Sequence, residues 1–293
     1  YTFSNTFQIG QDGKEHLSLN KTSNTLMLGT GSKILTASNV WFQGTNGDRV
    51  TIGSSTQAGE RSVVIGAAAG TSANIVSIGF GHTGTLLEGV IKIGSGIPSY
   101  AGNAISIGRN SKAGLDSISI GSNSGTVTSE YSVSIGEESG SILQDHRSVS
   151  IGYQSGYDRQ GSNCVAIGPL AGKSNQTRGA IAIGYDAGRD KQEERAVAIG
   201  QEAGEIEQGT RGVAIGSAAG FKSQGASAVA LGRLSGAFLQ GLESIAIGDS
   251  AGASYQNAHA ISIGLEAGFR GQYANSIAIG YQSGKFNQGS NAI

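Results

Sequence analysis

Ile181-Ala182-Ile183-Gly184-Tyr185-Asp186-Ala187-Gly188-Arg189-Asp190-Lys191-Gln192 is one phrase of a pattern that returns with a fixed 16-residue period from Gly136 to Ile293. Its first glycine recurs from Gly136 to Gly280, and a second glycine follows four residues later, from Gly140 to Gly284. Eight residues after each first glycine stands a glutamine: Gln144, Gln160, Gln176, Gln192, Gln208, Gln224, Gln240, Gln256, Gln272 and Gln288. A fixed period this short is below what a helix pair or propeller blade needs, roughly 34–50 residues, and suits one coil of a β-solenoid. The Ile-small-Ile triplet reads as the strand of each coil. Its β-branched pair shares one face and its Ala or Ser the other. The glycine after it marks a sharp turn.

The reading predicts an all-β, parallel β-solenoid with three segments. Residues 1–50 lack the repeat and carry short β-like runs, Leu17–Leu19, Thr25–Leu28, Lys33–Thr36 and Val40–Phe42, expected to form a β cap or connector. Residues 51–135 hold the strand but not the period. Their strand-ending glycines, Gly53, Gly66, Gly79, Gly94, Gly108 and Gly121, lead unevenly to Gly136: the step from Gly53 to Gly66 is short and that from Gly79 to Gly94 is long. Residues 136–293 form the regular array. The β-branched pair is expected to stack as an aliphatic ladder inside the coil. The Ala/Ser face is expected to pack against other subunits, since small residues permit close approach of a neighbouring sheet. One coil buries too little to offset the entropy lost in ordering it, which points to an oligomer.

The glutamine column reads either as a rung-to-rung amide ladder or as a solvent-facing turn position. Its invariance over ten coils favours the ladder. Large and basic residues collect after the second glycine: Tyr157, Phe221 and Phe269 directly after it, Phe238 and Phe286 one residue on, with Arg159, Lys222, Arg270 and Lys285 close by. They pack over the turn or form candidate receptor contacts for a surface glycan or protein.

Composition narrows the function. Glycine is 49 of 293 residues but proline only 2, which excludes collagen. A net charge of −1 gives no basic field for nucleic acid, and no apolar run is long enough to span a bilayer. The chain opens without a charged-then-apolar leader and ends inside a repeat, so it is expected to be a piece of a longer protein. The single Cys164 occupies a small-residue slot. His16, His82, His146 and His259 fall at unrelated repeat positions, with no metal-ligand spacing. No phosphate-binding glycine loop occurs. Glu137, Glu138, Asp186 and Glu202 read as a solvated face. No catalytic, metal or cofactor site is expected. A fibre that also cleaves polysaccharide is the enzymatic alternative, and a monomeric ice-binding-like solenoid the other. The lack of a Thr column counts against the latter.

Residues 107–121, Ile107-Gly108-Arg109-Asn110-Ser111-Lys112-Ala113-Gly114-Leu115-Asp116-Ser117-Ile118-Ser119-Ile120-Gly121, resemble the head repeats of trimeric autotransporter adhesins. The resemblance extends over about Thr51 to Ile293. It implies a left-handed β-roll, assembly as a homotrimer, and a role in attachment at a cell surface. The regular period departs from that family, whose coils are commonly shorter, and looks more like fibre proteins of large DNA viruses and phages. The expectation is therefore a homotrimeric fibre shaft or head on a virion or cell surface, not an enzyme.

Overall fold

The computed structural model describes residues 17–20, 25–28, 49–52, 61–67, 74–82, 88–98, 102–126 and 129–293. The chain forms two units, Tyr1–Gln43 and Gly44–Ile293. In the first, Leu17–Asn20 and Thr25–Leu28 pair antiparallel. The β-like runs at Lys33–Thr36 and Val40–Phe42 lie outside the described residues.

The second unit is a parallel β-solenoid. One strand per coil stacks into a 16-stranded sheet that runs in chain order from Arg49–Ile52 to Ile277–Ile279. Pairing is in register: Val197, Ala198 and Ile199 lie beside Val213, Ala214 and Ile215 of the next coil. At a rung spacing of ~4.8 Å the sheet is roughly 70 Å long. A second parallel sheet of nine strands begins at Ile142–Gln144 and ends at Arg270–Gln272. Sequence reading places only one strand in each coil. The second is hidden because segments such as Asp190-Lys191-Gln192 carry no apolar alternation, and their middle residue is left-handed: φ is 57° at Lys191, 58° at Glu207 and 57° at Ser223.

Left-handed residues set the size of the coil. From Gly200 to Gly212 they are Gly200, Glu202, Gly204, Glu207 and Arg211, with φ of 129°, 56°, 51°, 58° and 58°. Two of these must be glycine. A Cβ on Gly200 would stand 2.7 Å from the carbonyl oxygen of Gly216 in the next coil, and one on Gly204 would stand 2.7 Å from the amide of Gln208. The second glycine is therefore the seat of the glutamine, which is why the two recur together.

So tight a coil cannot hold isoleucine. The strand-centre residues Ala166, Ala182, Ala198, Ala214, Ala230, Ala246 and Ala278 are all fully buried inside it, beside Ala171, Ala187, Ala203 and Ala219 of the turn after the strand. The slot before the strand, with Ser148, Cys164, Ala180 and Ala196, is equally buried. Val165, Ile167, Ile181 and Ile183 point outward and are half-buried in the single chain. This reverses the expected faces: the Ala/Ser column is the interior, and the β-branched pair lines the outside of the large sheet.

The coils before Gly136 lack the glutamine and fill the same space with other polar groups. Ser111, Ser119 and Ser124 bond one another at 2.8–3.3 Å. In the coils at 77–97 the interior holds a histidine and a lysine. His82 Nδ1 is 2.8 Å from the Ser77 hydroxyl, and Lys92, 2% exposed, donates to the Ile97 carbonyl at 3.5 Å. Burial lowers the Lys92 pKa from 10.5 to about 8, and it lowers that of His82 as well. Between pH 8 and 10.5 the unfolded chain holds a proton at this position that the folded chain has released, so folding stability should rise with pH across that window. Lys92→Ser introduces the residue found at the strand centre of the next two coils, Ser106 and Ser119. Melting curves over that pH range should show the wild-type gain reduced in this variant; an equal gain would place the Lys92 ammonium in water.

Candidate functional site

The glutamines stand inside the coil, between the two sheets' corners, and their amides form one continuous chain. Each Nε2 from Gln144 to Gln272 donates to Oε1 of the next glutamine at 3.0–3.2 Å. From Gln160 onward the same Nε2 also donates to the carbonyl of the first strand residue eleven positions back, as in Gln192 to Ile181 at 2.7 Å and Gln208 to Val197 at 2.8 Å. Both amide hydrogens and the oxygen are thus engaged, which is what complete burial of a polar group requires. Where the strand centre is Ser, its hydroxyl also bonds the glutamine oxygen: Ser134 to Gln144 and Ser150 to Gln160, both at 2.7 Å. The column joins coil to coil, and each of its members from Gln144 to Gln272 has its amide engaged within it.

The candidate receptor contacts lie over the second sheet, but not as a single row. Phe221 and Phe238 meet edge to face with centroids 5.6 Å apart, and Phe269 and Phe286 do the same at 6.3 Å. Lys285 sits 6.0 Å from the Phe269 ring and 5.5 Å from the Phe286 ring, while its Nζ bonds Glu266 at 2.6 Å. Phe238, Phe286, Lys222, Arg159 and Arg270 are exposed; Tyr157, Phe221 and Phe269 are half-buried. Tyr157 stands four coils from Phe221, too far to share a contact with it.

Asp186 departs from the solvated face expected for it. It is 6% exposed, and its Oδ1 is the one buried side-chain oxygen or nitrogen without a hydrogen bond among the described residues, 3.6 Å from Arg189 Nη1. Arg189 Nη2 bonds Glu205, also buried, at 2.6 Å. Burial pushes the Glu205 pKa up against the pull of Arg189, and the Asp186 charge raises that of Tyr185. One arginine thus lies against two carboxylates of neighbouring coils. Among the described residues, no three His, Cys, Asp or Glu side chains gather to hold a metal. Cys164 is buried; its Sγ lies 2.9 Å from the Thr177 carbonyl, and burial raises its pKa.

An apolar face runs along the outside of the 16-stranded sheet. One column runs through Val133, Val149, Val165, Ile181, Val197 and Val213, the other through Ile135, Ile151, Ile167, Ile183, Ile199 and Ile215, and both are half-buried in a single chain. Leu231 and Ile279 are 42% and 62% exposed. Sequence reading found these residues and assigned them to the interior.

No helix among the described residues is long and apolar enough to cross a membrane. No family model matches the chain, and comparison with curated proteins and with solved structures yields no match.

Proposed function

We propose that this chain is a structural and attachment protein: the shaft or head of a homotrimeric fibre on a virion or cell surface, its subunits joined through the Ile/Val face of the large sheet. The observation that carries the assembly is that face itself. Two unbroken aliphatic columns over a length of roughly 70 Å make an apolar surface larger than monomeric proteins ordinarily leave in water. The occupant that fits is another copy of the same chain, because its columns repeat with the same rise and can interdigitate along the whole length. A closed ring of copies covers the face on every subunit and leaves none over. The number three, the attachment role and the extracellular setting come from the resemblance to adhesin head repeats. The long stacked body, with charged and aromatic side chains along the second sheet, is suited to holding contact residues away from an anchoring surface. The reading is non-enzymatic.

Mass in solution tests the assembly. Sedimentation equilibrium should give three times the chain mass of 29.6 kDa, without dissociation at micromolar concentration. A particle of one chain mass would leave the aliphatic face in water and end the trimer reading.

A further inference from the structure

A trough of about 460 Å³ opens where the second sheet turns away, across the coils of Gln144, Gln160 and Gln176. Gly161 lies in its floor: the coils on either side carry Asp145 and Thr177 at the same repeat position, and a Cβ on the glycine would stand 2.9 Å from the Arg178 backbone nitrogen, so the next coil packs closely against it. We propose that this trough binds an acidic glycan, an oligosaccharide bearing a carboxylate or a sulfate. The assignment rests on the attachment reading and names the class of ligand for it.

Two guanidinium groups line the trough. Arg159 and Arg178 are both exposed and form no ion pair among the described residues. Arg159 spends one Nη1 hydrogen bond on Asn175 at 3.1 Å, and the rest of its fork stays available. Two forks at one opening suit a planar or tetrahedral oxyanion, which each can bond through parallel N–H donors. The single carboxylate of the lining is already occupied. Asp145 Oδ2 accepts from the Ser162 hydroxyl at 2.6 Å, and Oδ1 accepts from the His146 backbone N–H at 2.9 Å. The Ser162 bond, above all, holds its pKa below the usual carboxylate value. His146 Nδ1 accepts from the Glu130 backbone N–H at 3.1 Å, so the ring is held in place at the rim. Leu143, 62% exposed, offers an aliphatic surface for the apolar face of a sugar ring. With two arginines against one aspartate, the trough is locally cationic on a chain whose net charge is −1. That suits one or two acidic sugars, and is too little to retain a nucleic acid through many phosphates.

The chain supplies its own comparison. A smaller hollow of about 230 Å³ opens at Gly209, but its lining pairs Lys191 with Glu193 and Glu207. Lys191 is bonded to Glu207 at 3.0 Å. The lining there carries an excess of negative charge, so Lys191→Ala serves as a control.

The test is titration of the full chain with sialyllactose, with a sulfated heparin-derived oligosaccharide, and with neutral lactose, followed by calorimetry. One of the acidic saccharides should bind saturably and lactose should not, which also distinguishes carboxylate from sulfate. Arg159→Ala/Arg178→Ala should weaken that binding roughly tenfold or more, as loss of charge-assisted hydrogen bonds implies. Its melting should be unchanged, and Lys191→Ala should bind as wild type. No saturable binding of either acidic saccharide, equal binding by the double variant, or equally tight binding of a single-stranded oligonucleotide would each overturn the proposal. Adhesion of the intact protein to cells separates the two readings. Adhesion kept by the double variant leaves attachment standing and removes the trough from it. Saccharide binding without any adhesion by wild type keeps the site and removes attachment.

Discussion

Gln208→Leu should lower the folding stability by about 3–9 kcal/mol, among the largest effects available to a single side chain in this protein. Leucine nearly matches the volume, so the loss is polar. Gln208 is fully buried, and its Nε2 donates to the Val197 carbonyl at 2.8 Å, the Gly212 carbonyl at 3.2 Å and Gln224 Oε1 at 3.0 Å. Its Oε1 accepts from Gln192 Nε2 at 3.0 Å. Leucine abandons the Val197 carbonyl, the Gln224 oxygen and one Gln192 hydrogen together, and each unsatisfied buried group costs about 1–3 kcal/mol. Stacked repeats are stabilised by their nearest neighbours, so the break also divides the amide chain into two shorter runs. Gln208→Glu keeps the shape and removes only the donors; it should be destabilising as well, through a buried carboxylate. Glu207→Ala, next door and exposed, should change little. Denaturant unfolding of the three variants decides the matter. A leucine variant as stable as wild type would reduce the amide column to passive filler.

The value of that glutamine is partly legible in the sequence. Ten retentions at one repeat position indicate a constraint, and the stacked period indicates that like residues meet rung to rung. What the constraint is depends on the second glycine: only with Gly204 at φ 51° and lacking a Cβ does the amide of Gln208 fit beneath it. The in-register strands could be read from Ile-small-Ile alone. The direction of their faces could not. Alternation states that Ile181 and Ile183 oppose Ala182; it does not state which side is inside. That is decided by the bore of the coil, and the bore is decided by left-handed residues such as Glu202, Glu207 and Arg211, whose identities carry no mark of a positive φ. One signal did point the right way. Small residues fill the strand centre, the slot before the strand and the third place after the first glycine, as with Ala198, Ala196 and Ala203. Several small columns and one glutamine make a complete narrow interior, with no room left for two isoleucines.

Ile183→Asp should dissociate the assembly while leaving the coil folded, because the residue sits on the outer aliphatic column. In a single chain Ile183 is half-buried, and its backbone pairs in register with Ile167 and Ile199. An aspartate there can stay hydrated as long as no second chain covers it. On assembly the carboxylate would enter an apolar contact without a partner, at a cost of several kcal/mol, and a ring of three would gather three like charges at one level. Association should weaken at least about a hundredfold, read as a shift from the assembled to the single-chain mass in sedimentation. The β-sheet circular dichroism should persist. Two further variants locate the effect. Lys222→Ala, exposed at the second sheet, should leave mass and melting unchanged. Ala214→Leu adds three heavy atoms to a fully buried position lined by Ala203, Ala219 and Ala230, so it should melt the coil and the assembly together. Ile183→Asp remaining fully assembled, or losing its sheet signal as Ala214→Leu does, would mean that the aliphatic columns are not the surface through which the copies meet.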